Sequence, residues 1–226
     1  MLKKKRLNKT YLVTAGPTHE KIDPVRYIGN YSSGKMGFAI AEQLASRGAK
    51  VILIAGPVAL TINHPNITRI DVISAAEMYD QCLLYFSNCN GAVMVAAVAD
   101  FAPVVINSQK IKRTTENFIL ELKANPDIAA SLGAIKRKDQ IVVGFALETS
   151  SDEEKALAKL RVKNLDLIIL NSLNDKDSGF VTDTNSIKIL NSEGVIFTSG
   201  LKLKTDIAVD IVNKIIETED FILSLA

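Results

Sequence analysis

The sequence predicts an α/β protein of three layers, a mainly parallel sheet flanked by helices, with a β-hairpin region near the C-terminus. Three observations predict it. Short apolar runs alternate with segments of helical pattern along most of the chain. The runs are continuously hydrophobic, as strands buried on both faces require. After residue 171 the pattern changes to two short strand-like segments around Asn191-Ser192-Glu193-Gly194, a hairpin signal. Together these describe a Rossmann-like fold.

The elements follow in order. Residues 11–15 (YLVTA) read as the first buried strand, and residues 35–47 as a helix that Gly48 ends. Residues 51–55 (VILIA) form the second strand, stopped by Gly56-Pro57. Residues 75–86 are helical, with Ser74 placed to cap them. Residues 92–98 (AVMVAAV) form the third strand, and a short helix over 127–135 follows Asn125-Pro126. Residues 141–146 (IVVGFA) are the fourth strand, followed by a helix from about 152 to 162. Residues 165–170 are the fifth strand, 186–190 and 195–198 flank the hairpin turn, and 205–216 form a closing amphipathic helix.

Composition sets the bounds. A chain of 226 residues, 47% hydrophobic, suits one domain with a sizeable core, and no repeat or linker divides residues 1–226. Residues 1–9 read as a basic tail without the apolar stretch of a signal peptide. No apolar run approaches the roughly 18 residues of a membrane helix, so no membrane partner is expected. A net charge of +2 without an aromatic-studded basic tract argues against nucleic acid. Cys82, Cys89, His19 and His64 offer no metal-ligand spacing, so metal ligands are not legible. The low cysteine count suits a reducing cytoplasm.

In an open α/β sheet, ligands bind beyond the carboxyl ends of the strands. Three unusual segments fall there. The first, residues 16–37, contains Gly29-x-x-x-x-Gly34-Lys35. It departs from a P-loop because Met36 stands where Ser or Thr would bind magnesium, and because more than ten residues separate it from the strand. There is no G-x-G-x-x-G, and no acid follows the second strand to grip a ribose. What remains is Ser32-Ser33-Gly34-Lys35-Met36-Gly37 opening a helix. Backbone N–H groups there favour an anion. The alternative is an ordinary helix start, with Gly37 easing helix-on-strand packing.

The second segment, residues 96–113, holds Asp100 just past a buried strand. It can grip a metal, a ribose or a base edge, or merely cap a turn. Lys110, Lys112 and Arg113 suit a polyphosphate or a solvated loop. The third places Lys159 and Lys163 on one helix face, within reach of a phosphate tail or simply at the surface. Phe145 can stack on a base or belong to the core. With no Ser-His-Asp set and no His-rich metal site, this inventory fits chemistry driven by positioned charges.

At these segments the sequence resembles a known family. GPTHEKIDPVRYIGNYSSGKMGFAIAEQLASRGAKVILIAGPV, AAVADFAP, KIKR, KANPDIAA, VVGFALET and KNLDLIILN, in order from about residue 11 to 216, are similar to the phosphopantothenate–cysteine ligase (phosphopantothenoylcysteine synthetase) domain of bacterial CoaBC proteins. The resemblance implies a CTP-dependent ligase of coenzyme A biosynthesis. It implies that the carboxylate of 4′-phosphopantothenate attacks CTP, releasing pyrophosphate, and that cysteine attacks the acyl-cytidylate, releasing CMP. It implies Mg²⁺ or Mn²⁺ to screen the triphosphate.

The resemblance also implies roles. Asn30 would orient the acyl-cytidylate, and Lys110 of the mobile KIKR loop would contact the triphosphate. Ala96, Asp100, Pro126, Asp127, Ile128, Ala129, Phe145, Lys159 and Lys163 would bind the nucleotide, and residues 32–37 the substrate or its phosphate. A homodimer with the KIKR loop near its interface is implied. The usual bacterial form carries a flavin-binding decarboxylase domain before the ligase domain. The chain therefore reads either as a separate ligase or as the ligase half of a longer protein, with a phosphopantothenoylcysteine decarboxylase as fused or associated partner, and with no flavin expected in these residues. KIKR replaces the more usual KIKK and keeps the charge. Gly29 beside Asn30 is expected to loosen that loop. The competing readings are an NAD(P)-dependent oxidoreductase, a non-catalytic nucleotide-binding protein and a flavin-binding protein.

Overall fold

A computed structural model describes residues 7–113, 117–148, 153–172 and 182–224. Residues 1–6 of the expected tail and Asp152 at the expected start of the fourth helix lie outside them. The elements run β1 (Thr10–Ala15), β2 (His19–Lys21), β3 (Tyr27–Gly29), α1 (Lys35–Ser46), β4 (Lys50–Ala55), β5 (Ile67–Asp71), α2 (Ala75–Phe86) and β6 (Gly91–Met94). There follow β7 (Phe101–Pro103), β8 (Leu122–Ala124), α3 (Ile128–Ile135), β9 (Ile141–Glu148), α4 (Glu153–Val162) and β10 (Leu167–Ser172). The chain closes with β11 (Thr184–Asn185), β12 (Ile187–Asn191), β13 (Gly194–Thr198), β14 (Lys202–Leu203) and α5 (Lys204–Ser224).

The main sheet has eight strands in the order β13-β12-β10-β9-β6-β1-β4-β5. The six from β5 to β10 are parallel, and β12 and β13 extend one edge antiparallel. Side chains alternate across it. Tyr11, Val13, Val51, Leu53, Val93, Ile141, Val143, Leu167 and Ile169 face the layer of α1 and α5. Leu12, Ile54, Ala92, Val142, Ile168 and Leu170 face that of α2, α3 and α4. Each buried Leu, Ile or Val contributes about 1.5–3 kcal/mol relative to exposure, so the two apolar faces fix the register.

Three departures from the expected elements have local causes. The third strand was expected to reach residue 98, but the ladder ends at Met94, because the Thr14 hydroxyl accepts the Val95 and Ala96 N–H groups at 3.1 and 3.2 Å. β5 carries mixed polarity (ITRID) and lies at the sheet edge, so it shows no buried run. Residues 7–9 are part of the fold rather than of a tail. Leu7 is buried and donates its N–H to Arg47 O, and Lys9 pairs with Glu219 at 2.9 Å. Ser74 caps α2 as expected, accepting the Glu77 N–H, while the Glu77 carboxylate accepts the Ile73 N–H. No helix among the described residues is long and apolar enough to cross a membrane.

Candidate active site

Counted along the chain, the parallel strands β5-β4-β1-β6-β9-β10 take the order 3-2-1-4-5-6. The order reverses between β1 and β6, where such sheets open a crevice. A cavity of about 770 Å³ opens there. Its floor is the segment after β6, pinned from three sides. Ala97 N–H donates to Gly16 O at 2.8 Å, and the buried Thr18 hydroxyl accepts the Ala99 N–H at 3.0 Å. Asn125 donates its side-chain amide to Ala99 O and its backbone N–H to Asp100 O, both at 2.8 Å. Asn30 donates to Val98 O at 2.9 Å and Ala97 O at 3.3 Å. Asn30 thus holds one wall while itself lining the space.

Three helices, α1, α3 and α5, begin on the cavity wall. α1 is capped by Gly34 at φ 77° with no side-chain cap, which leaves its positive end toward an incoming group. Gly37 takes the packing role, since a Cβ there would come within 2.6 Å of the Ala15 Cβ. α3 begins behind Asp127, whose carboxylate accepts the Ala130 N–H at 3.0 Å and pairs with Lys163 at 2.9 Å. Burial alone would raise the Asp127 pKa. The Ala130 N–H and the Lys163 ammonium outweigh it and hold the carboxyl below its usual range.

The cavity wall includes Asn30, Ser32, Ser33, Gly34, Lys35, Met36, Gly37, Ala96 and Asp100, with Pro126, Asp127, Ile128, Ala129, Phe145, Lys159 and Lys163. Every candidate residue except Lys110, Lys112 and Arg113 of the KIKR loop therefore meets in one place. Phe145 also packs against the core, as one of its readings has it. Lys110 is exposed and does not line the cavity. Its loop is tethered to the turn between β2 and β3. Asp23 accepts the Ile111 N–H at 3.1 Å, and Arg26 donates to Ile111 O at 2.9 Å while pairing with Asp23. Gly29 does not loosen the neighbouring hairpin. It pairs with His19 between β3 and β2, at a spot where a Cβ would lie 2.7 Å from Thr18 O.

The Arg26 guanidinium, helped by the Val25, Ile111 and Arg26 N–H groups and opposed by burial, holds the Asp23 carboxyl well below the usual range. This pairing therefore stabilises the loop fully above the ordinary carboxylate pKa, about 3.9. It is lost as pH falls below that toward the depressed folded value. Asp23→Asn is expected to give the low-pH behaviour at pH 7: faster amide exchange at Ile111, with the sheet amides unchanged. Unaltered exchange at Ile111 would remove Asp23 as the tether.

Gly133 lets α3 approach the end of α4, where a Cβ would lie 1.9 Å from Lys163 O, and Asn164 donates to Gly133 O at 2.7 Å. Gly133→Ala is expected to cost about 3 kcal/mol, lowering the melting temperature by roughly 6–12 °C. An unchanged melting temperature would show that α3 can withdraw freely.

Burial pushes the Cys82 thiol up to about 12 and the Cys89 thiol up to about 11, so neither offers a thiolate near neutrality. Among the described residues no group of three or more His, Cys, Asp or Glu side chains could hold a metal ion. The end of β4 has no ribose-gripping acid, and Gly56 packs there so closely that a Cβ would overlap Pro17 O at 1.7 Å. Sequence reasoning missed Thr14, Asn185 and Lys204, which also line the cavity. Asn185 and Lys204 reach it only through the folding back of the C-terminal ribbon.

The family profile described as DNA/pantothenate metabolism flavoprotein C-terminal domain matches residues 7–218. The chain belongs to this family. A curated relative from an unknown prokaryotic organism, named cysteine/cysteine sulfinic acid decarboxylase, is 48% identical over 204 residues, covering 90% of this chain and 57% of its own length. The coenzyme A biosynthesis bifunctional protein CoaBC of Haemophilus influenzae is 46% identical over 205 residues, 91% of this chain and 50% of its own length. The chain thus spans about half the length of these curated relatives. The crystal structure of the C-terminal domain of a CoaBC protein superposes with a TM-score of 0.81 at 36% identity, over 96% of this chain and 100% of that one. A Cab2 mutant in complex with phosphopantothenate-cysteine shares the fold, with a TM-score of 0.77 at 21% identity over 96% of this chain and 88% of that one.

Proposed function

We propose that this family member catalyses CTP-dependent ligation of 4′-phosphopantothenate to L-cysteine, giving 4′-phosphopantothenoylcysteine, CMP and pyrophosphate. One observation carries the reading. A single cavity at the sheet's switch point gathers Lys35, Lys159, Lys163 and the starts of α1 and α3. That wall suits polyphosphate. The relatives named for coenzyme A biosynthesis supply the substrate class.

In the first step the pantothenate carboxylate attacks the α-phosphorus of CTP, and pyrophosphate leaves. In the second the cysteine amine attacks the acyl carbon, and CMP leaves. Neither step needs a protein nucleophile, in keeping with the buried thiols. Lys159, Lys163 and the first amides of α3 hold phosphates. Phe145, Ala96 and Asp100 hold the nucleoside, and Ser32–Gly37 the acyl substrate. Asn30 orients the acyl-cytidylate, and Lys110 closes over the triphosphate from its tethered loop.

Asp127 is engaged by Lys163, which leaves Asp100 as the carboxylate on this wall suited to a Mg²⁺ or Mn²⁺ ion brought by the triphosphate. The ion would screen the triphosphate charge. No flavin step belongs to the proposal, and the setting is the cytoplasm. The active form is a homodimer, consistent with Val105, Ile106, Phe118 and Ile119, exposed near the β7–β8 arm. In CoaBC-type proteins the partner activity is a decarboxylase.

The test is incubation with 4′-phosphopantothenate, cysteine, Mg²⁺ and either CTP or ATP, followed by mass spectrometry. The cysteine adduct with CMP, formed faster from CTP, is expected. No adduct with either nucleotide from a folded protein would overturn the proposal.

A further inference from the structure

Lys204 is the buried lysine of the described residues, 7% exposed, and it lines the cavity. It is the first residue of α5, as Lys35 is the first residue of α1. Each helix start carries about half a positive charge, so a lysine there sits at the unfavourable end of the dipole. Burial adds to the cost of its charge. Burial first, and then Lys35, lower the Lys204 pKa, with Asp183 acting in the opposite sense.

The local carboxylate is Asp183, which pairs with Lys35 at 2.6 Å and keeps 74% of its side chain exposed. Asp206 adds a second acid in the first turn of α5. Lys204 is nevertheless held firmly. Its ammonium donates to Thr182 O at 2.6 Å and its backbone N–H to Asp183 O at 2.9 Å. The β11–β14 ribbon, pairing Thr184 with Leu203 and Asn185 with Lys202, fixes the chain just before it. Two lysines at two helix starts on one cavity wall make a positive site that an arriving anion would relieve.

We propose that Lys204, with Lys35 and the start of α1, forms a phosphate-anchoring subsite on this wall. The inference rests on the ligase reading for the identity of the phosphate. That phosphate is either the terminal monoester of 4′-phosphopantothenate or part of the CTP triphosphate.

The test compares the wild type with Lys204→Gln, Lys204→Arg and Asp183→Asn. Losing a charged contact to phosphate corresponds to about a ten- to hundred-fold change. Lys204→Gln is expected to raise KM that much for one phosphate-bearing substrate, with kcat changed less, and Lys204→Arg to restore most of it. A rise confined to 4′-phosphopantothenate, with turnover of unphosphorylated pantothenate unaltered, assigns the monoester. A rise confined to CTP assigns the triphosphate. Asp183→Asn, an exposed change that does not threaten the fold, is expected to lower the same KM. KM values for both substrates within two-fold of wild type in Lys204→Gln, or no fall in Asp183→Asn, would overturn the subsite. If the wild type does not ligate, the ligase reading fails by itself. The subsite is then judged by whether pyrophosphate raises the melting temperature of the wild type more than that of Lys204→Gln; equal shifts would overturn it.

Discussion

Asn30→Asp is expected to slow ligation about a hundred-fold while leaving the fold intact. The amide of Asn30 donates to Val98 O and Ala97 O. A carboxylate of the same shape cannot donate and faces both carbonyl oxygens. Two lost hydrogen bonds plus that repulsion amount to about 3 kcal/mol, or a factor of about 10² in rate. The expected loss is unequal. Attack by cysteine, which needs the acyl-cytidylate held in register with the pinned floor, falls further than pyrophosphate release. Single-turnover measurement of both products checks this. Equal loss in the two steps, or none, would contradict the role given to Asn30.

Lys110→Gln is expected to reduce pyrophosphate release by about 10²–10³, the scale on which removing one charge-stabilising donor acts in a transition state. The side chain is exposed and off the cavity wall, so the melting temperature should not move. The effect is one of loop closure. The Asp23–Arg26 pair tethers Ile111, the residue next to Lys110, at the base of that loop. Full pyrophosphate release by Lys110→Gln would remove that residue from the mechanism. A matching loss of thermal stability would make its role structural.

The sequence made the central layers legible because apolar runs such as YLVTA and VILIA are buried on both faces and leave a strong signal. It also made most of the cavity legible, through blocks that lie at strand ends. Three features were hidden for physical reasons. β5 is an edge strand whose exposed positions interrupt the apolar pattern. β6 ends early because of one threonine hydroxyl, Thr14, on a different strand. Lys204 precedes the helix expected over residues 205–216, and nothing local in the sequence singles it out. Only the return of the β11–β14 ribbon buries it against the cavity, and no local pattern encodes a contact between residues so distant as 35 and 183.

The central claim is that a carboxylate is activated by a nucleotide before cysteine enters. The most direct test is pyrophosphate release with CTP and 4′-phosphopantothenate in the absence of cysteine. One equivalent of pyrophosphate per active site, dependent on 4′-phosphopantothenate and much slower with ATP, is the predicted result. Pyrophosphate released without 4′-phosphopantothenate, or none released until cysteine is added, would contradict the acyl-cytidylate route.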